Sequence, residues 1–236
     1  MSSRAASSLA VAAVVLAACR SAPADDALFP LAEGRQWTYR VSTTIDEVTG
    51  TERATLVLAN RGEDRIDGAV SWRRRSDSGI EYWLRTDPTG IYRIASRSPL
   101  DREPLPDKPR RYVLKKPYAV GTEWESPTTA YVLSRKNETP HELRHVYKDL
   151  PMHYRIESLG EKVRTAAGDF DGCVRVAGKA SIRLYDDAMR QFRDSPLTTT
   201  EWYCPNVGLV RLERQEPSPT RLVAGGVVTM ELTSWH

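Results

Sequence analysis

From Trp37 onward, turn signals built from Gly, Pro, Asp and Ser recur at short intervals between runs rich in Val, Ile, Thr, Tyr and Trp. Such spacing predicts an antiparallel meander and argues against βαβ units. The first runs are Trp37–Val48, Thr51–Asn60, Ala69–Asp77, Ile80–Asp87 and Ile91–Ser98, with turns at Thr49-Gly50, Ser78-Gly79 and Asp87-Pro88-Thr89-Gly90. Later runs are Thr128–Ser134, His153–Leu159, Val163–Ala167, Cys173–Tyr185, Thr198–Cys204, Gly208–Gln215 and Thr220–Ser234. Short helices are expected only in connections, near Glu138–Lys148 and Asp186–Phe192, and neither is long enough to organise a core. The expected class is therefore all-β: a twisted antiparallel sheet, half-barrel or barrel-like.

Residues 99–111 carry four prolines, which excludes a helix interior or a central strand and leaves a loop or an edge excursion. An internal echo brackets this stretch, since Pro30-x3-Gly34-x2-Trp37 recurs as Pro117-x3-Gly121-x2-Trp124. In each, Gly would permit a tight turn and Trp would anchor the start of a strand. The domain at 29–236 is thus expected either as one undivided unit or as two related halves, 29–98 and 112–236.

The N-terminus is of a different kind. Arg4 precedes an apolar stretch, Leu9–Leu16, too short to span a bilayer, and Leu16-Ala17-Ala18-Cys19 closes it. This segment resembles the lipobox of bacterial lipoproteins. The resemblance implies a signal peptide at 1–18, a diacylglyceryl group and commonly an amide-linked acyl chain such as palmitate on Cys19, and a flexible tether at 19–28. Two or three acyl chains, at ~0.8 kcal/mol per buried methylene, make such an anchor effectively permanent. Arg20, in place of Asp, resembles the sorting pattern for the outer membrane, so the expected location is a periplasm-facing outer-membrane anchor.

Removing the leader removes one basic residue, Arg4, leaving 33 basic against 31 acidic residues. Near-neutrality argues against nucleic acid as a partner. Short basic clusters at Arg73-Arg74-Arg75, Arg110-Arg111 and Lys115-Lys116 read as solvated faces, with lipid phosphates as the alternative partner. With Cys19 acylated, one pair of cysteines remains, so Cys173 and Cys204 are expected to form a disulfide in an oxidising compartment.

His141-Glu142-Leu143-Arg144-His145 matches the H-E-x-x-H pattern, in which two histidines one helical turn apart bind zinc and the glutamate activates water. Pro140 directly before the motif, charged Arg144 within it and the lack of apolar flanks weaken that reading. His153 is not at the spacing of the longer zinc-protease pattern, and Glu157 or Glu161 is the candidate third ligand. The expectation is no metal, no cofactor and no catalytic residue, with a zinc peptidase using His141, Glu142 and His145 as the alternative. No G-x-S-x-G elbow, Walker loop, dinucleotide fingerprint or C-x-x-C pair occurs. Ile80, Tyr82 and Leu84 share one strand face and Trp83 takes the other. Either both faces are covered, around a hollow able to hold a lipid-like ligand, or Trp83 pairs across strands on a partly wet face.

Phe29-Pro30-Leu31-x2-Gly34-x2-Trp37-x-Tyr39 resembles the opening of a broad group of bacterial lipoproteins and exported proteins without an agreed activity. Two later stretches strengthen the likeness: the turn around Gly168-Asp169-Phe170, and Trp202-Tyr203-Cys204-Pro205-Asn206-Val207-Gly208-Leu209-Val210. The resemblance implies architectural roles for these residues and carries over no particular activity. The expected function is that of a non-catalytic binding or envelope-structural lipoprotein, partnered by the membrane and by an envelope protein or an apolar ligand. A carrier of a lipid-like ligand is a further alternative.

Overall fold

The computed structural model describes residues 27–46, 49–135, 149–186, 189–218, 220 and 223–236. The leader, Cys19 and the His141-Glu142-x-x-His145 segment, with the expected helix around it, lie outside these residues. No helix occurs among the described residues, and the fold is all-β.

Among the described residues fourteen strands form in chain order: β1 (Gln36–Ile45), β2 (Glu52–Ile66), β3 (Ala69–Ser76), β4 (Glu81–Asp87), β5 (Gly90–Arg97), β6 (Leu105–Lys115) and β7 (Glu123–Thr128), then β8 (Ser134–Arg135), β9 (Leu150–Thr165), β10 (Gly168–Asp186), β11 (Gln191–Cys204), β12 (Gly208–Glu216), β13 (Val223–Ala224) and β14 (Gly226–Trp235). Twelve of them make one antiparallel sheet in the order β6-β5-β4-β3-β2-β1-β14-β12-β11-β10-β9-β7, and β8 pairs with β13 separately. The sheet curls until its edge strands β6 and β7 run side by side without laddering. The result is a barrel closed everywhere except at one seam.

This order consists of two six-strand meanders, β1–β6 and β7-β9-β10-β11-β12-β14, joined by the β1–β14 pairing. The boundary falls after Lys115, so the edge excursion at 99–111 belongs largely to β6 of the first meander. The two echo sequences occupy matching places. Gly34 and Gly121 both have positive φ, at 83° and 91°. Gly34 N–H donates to Asn60 O and Asn60 N–H to Arg35 O, while Gly121 N–H donates to Ile156 O and Ile156 N–H to Thr122 O. Trp37 pairs with Leu58 and Trp124 with Tyr154, each tryptophan being the second residue of its strand and buried.

Turn chemistry explains the hairpins. Asp67-Gly68 links β2 to β3 with φ of 51° and 73°, the two positive values that a two-residue turn matching strand twist requires. Gly90 is required by crowding as well as by its φ of 139°, because a Cβ there would lie 2.2 Å from Leu114 O. The helix expected over Asp186–Phe192 is corrected: Asp186 pairs with Gln191, ending one strand and starting the next. The Asp186 carboxylate accepts from Met189 N–H, Arg190 turns with φ of 51°, and Tyr185 meets Phe192 edge to face at 5.2 Å. Two-residue periodicity on both sides holds this segment in the hairpin and overrides its local helical composition.

Residues 129–133 fold back against the inner face of the second meander. Ala130 and Leu133 join Met152, Ile182, Leu184, Leu197 and Val223 in a buried cluster. Glu216, fully buried on β12, accepts the backbone N–H groups of Tyr131, Val132 and Leu133 and the Nε of Arg214. Arg214 in turn donates to Thr128 Oγ1 at 3.0 Å and to Thr129 O at 2.7 Å. A charged pair taken out of water is tolerable here because its hydrogen-bonding capacity is spent on an otherwise unpaired backbone.

Candidate functional site

The sequence motifs that point to architecture meet one another in space. Phe29 packs near Tyr203, ring centroids 6.5 Å apart, and Asn206 N–H donates to Ala27 O at 2.6 Å. Trp37 Nε1 donates to Val207 O at 2.7 Å, and the Tyr39 hydroxyl to Leu209 O at 2.9 Å. Gly208 turns with φ of 92°, a left-handed value that favours glycine, and a Cβ there would sit in ordinary contact with Pro30 at 3.5 Å. Gly168 opens β10 with φ of 134°, and Phe170 packs with Trp202 against the cluster that holds Trp37, Tyr39 and the disulfide. The expected Cys173–Cys204 disulfide is present and buried, tying the start of β10 to the end of β11.

Above this floor the barrel interior holds a cavity of about 340 Å³. Its apolar wall comes from Phe29, Leu56, Leu58, Leu84 and Leu209, and five phenols, Tyr39, Tyr82, Tyr112, Tyr154 and Tyr203, add amphipathic surface. Gly178 makes room for one of them: a Cβ there would meet Tyr154 Cε1 at 2.8 Å, Met152 Sδ at 2.8 Å and Thr199 Cγ2 at 2.6 Å. The Tyr154 ring stacks on Trp124 at 5.5 Å.

The cavity extends to the seam, where Arg111, Tyr112 and Val113 of β6 and Ser126 and Pro127 of β7 line it. Pro106 and Pro109 in β6 and Pro127 in β7 lack N–H donors, which blunts both edges against pairing. Side chains bridge the gap instead. Arg111 donates across it to Pro127 O at 3.1 Å, while its other nitrogens hold Asp107 at 2.7 Å and Asp149 at 2.7 Å. Asp107 also receives Arg93 at 2.6 and 2.9 Å.

Two further polar groups line the interior. Arg74 is 8% exposed and its guanidinium lies between the rings of Phe29 and Trp37, at 4.3 and 4.4 Å. The basic run Arg73-Arg74-Arg75 is therefore not a uniformly solvated face: strand alternation sends Arg74 inward with Ser76 while Arg75 is exposed. Burial lowers the Arg74 pKa to about 10, which leaves it cationic at neutral pH. Glu201, half-buried on β11, accepts from the Tyr203 hydroxyl at 2.6 Å, and desolvation pushes its pKa up.

An acid raised on folding adds stability below its unfolded pKa and loses that contribution as pH climbs through its folded value. Glu201→Gln is thus expected to flatten the fall in stability above about pH 4. Urea midpoints from acid to neutral pH check this, and parallel slopes for the two proteins would contradict it.

Trp83 is buried on the outer face of β4, with Nε1 donating to Asp64 at 2.8 Å and Arg97 over its ring, so both faces of that strand are covered. Neither carboxylate considered as a third zinc ligand stands apart. Arg175 lies 3.5 Å from Glu157 and 3.2 Å from Glu161, and Glu161 also accepts from Trp202 Nε1. No group of three metal-ligating side chains occurs among the described residues, and His141, Glu142 and His145 are outside them. Sequence reading pointed to Tyr39 and Tyr203 only as architecture and missed Arg74 and Glu201 as cavity groups; the signal available for Arg74 was its inward register with Ser76.

No family model matches this chain, and no curated protein matches it. Among solved structures it is similar to a candidate lipoprotein from Parabacteroides distasonis, with a TM-score of 0.40 and 15% identity over 89% of this chain and 98% of that one. It is also similar to a candidate exported protein with a YmcC-like fold from Bacteroides fragilis, with a TM-score of 0.39 and 15% identity over 88% of this chain and 98% of that one.

Proposed function

We propose that the protein is a non-catalytic envelope lipoprotein, acylated at Cys19 and facing the periplasm from the outer membrane, whose barrel interior binds a small apolar or amphipathic ligand. The observation that carries the binding role is the cavity of about 340 Å³ reaching the one seam where the sheet is not hydrogen-bonded. Its volume is at the lower end for ligand sites, and its wall has their usual composition, apolar and aromatic with a few convergent polar groups. A seam closed by side chains opens at the cost of a few hydrogen bonds, whereas any other pair of strands would have to lose a ladder. The eight Cα-to-Cα steps from Cys19 to Ala27 span at most roughly 28 Å, so an anchored barrel stays close to the bilayer that would supply or receive such a ligand.

The test uses the full chain with Cys19→Ser, which withholds the acyl groups, and 1-decanol as a neutral apolar probe followed by calorimetry. Saturable one-to-one binding is expected, with at least about tenfold loss when Val113→Trp fills the seam end of the cavity. No saturable binding, or binding indifferent to that substitution in a folded variant, would overturn the interior site. The anchor is checked separately, by the mass and membrane association of native and Cys19→Ser chains. Identical behaviour of the two would remove the lipoprotein assignment.

A further inference from the structure

The interior site carries a positive bias. Three arginines line it, Arg74, Arg93 and Arg111, against one acid, Glu201. Arg93 and Arg111 are neutralised in part by sharing Asp107, and Arg111 also reaches Asp149. Arg74 differs from both. Its Nε donates to Asn60 Oδ1 at 2.8 Å and its Nη2 to Pro30 O at 2.9 Å, and no carboxylate forms an ion pair with it among the described residues. The ionisable groups that act on it are the phenols of Tyr39 and Tyr203, both held neutral by burial. The cation that acts on Glu201 is Arg214, so the interior acid does not serve as the counter-charge of Arg74.

A buried cation without an anion is costly, and flanking aromatic rings offset only part of that cost. Asn60 and Pro30 occupy Nε and one hydrogen of Nη2, which leaves Nη1 and the second Nη2 hydrogen uncommitted on a residue that lines the cavity. Apolar surface from Leu56, Leu58 and Leu84 lines the same space. An apolar body beside an unspent guanidinium is the complement of an amphipathic anion.

We propose that the cavity selects amphipathic anions, a carboxylate or phosphate head on a short apolar body, with Arg74 as the residue that receives the head. The inference rests on the interior-site reading and adds ligand charge to it. The test titrates the full Cys19→Ser chain with decanoate, decyl phosphate, 1-decanol and decyltrimethylammonium, by calorimetry at neutral pH. Both anions are expected to bind at least about tenfold more tightly than decanol, and the ammonium most weakly. Arg74→Gln should bring the anions down to the affinity that the same variant shows for decanol, a ratio of about one, while Arg74→Lys should keep most of the preference. The ratio of anion to alcohol affinity is the deciding readout, because a merely structural role for Arg74 would weaken all four probes together.

A preference for only one of the two anions identifies the head group. Equal binding of anions and decanol by the parent chain, or a preference that survives Arg74→Gln, overturns the charge selection while the interior site stands. Should Arg74→Gln fail to fold, the ranking in the parent chain decides. Binding of none of the four probes would remove both the selection and the site.

Discussion

Glu216→Ala is expected to destabilise the protein by about 3–5 kcal/mol, the largest effect of any single side chain considered. The substitution removes an acceptor that is 0% exposed and engages four donors: the N–H groups of Tyr131, Val132 and Leu133 and the Arg214 guanidinium. Alanine leaves a buried cation without its anion and three backbone donors without partners, and either loss alone is costly. Replacing both members of a buried ion pair by apolar residues is often neutral, and here that expectation fails. An Arg214→Met, Glu216→Leu double variant still orphans the 131–133 backbone, so it should recover only part of the loss. Urea unfolding of the three proteins measures this. A double variant as stable as the parent would show that the carboxylate's bonds to the backbone contribute little and that the segment is held by Leu133 and its apolar neighbours alone.

Much of the architecture was legible because strands and their turns are written locally. The Asp87-Pro88-Thr89-Gly90 turn, the opposite faces taken by Tyr82 with Leu84 and by Trp83, and the cysteine pair follow from period, turn chemistry and compartment, while the Gly168 turn was implied by the resemblance. What stayed hidden depends on closure. Glu216 meets Tyr131 across 85 positions of sequence, and nothing near either residue records the encounter. Arg111 reads as half of a basic doublet until β6 and β7 are brought edge to edge, when it becomes the bridge across the seam. Arg74 was concealed by its neighbours: in a run of three arginines, average character outweighs alternation, although Ser76 already marks the inward register. The misread segment at Asp186–Phe192 is the reverse case, since a short polar stretch between long runs can close a hairpin as readily as start a helix. The pairing of Tyr185 with Phe192 decides it.

Removal of the disulfide by paired Cys173→Ala and Cys204→Ala substitutions is expected to cost roughly 3–4 kcal/mol, from the chain entropy released when a loop of this length is opened. The sequence separation of 31 sets that figure. Because both sulfurs are buried beside Trp37, Tyr39 and Val210, alanine also leaves a small void, whose cost adds to the entropic one. The two contributions separate experimentally: reducing the parent protein opens the loop and keeps the sulfurs in place, so the reduced parent should lie between the oxidised parent and the double variant. Against a total stability of about 5–15 kcal/mol, either form remains folded but closer to its threshold. The effect should also reach the ligand site, since Tyr203, next to Cys204 on β11, supplies part of the cavity wall and holds Glu201. Weaker decanol binding by the reduced protein under conditions where it is still folded is therefore expected. Unchanged binding, with the full loss of stability, would place the disulfide's role in the floor of the barrel alone.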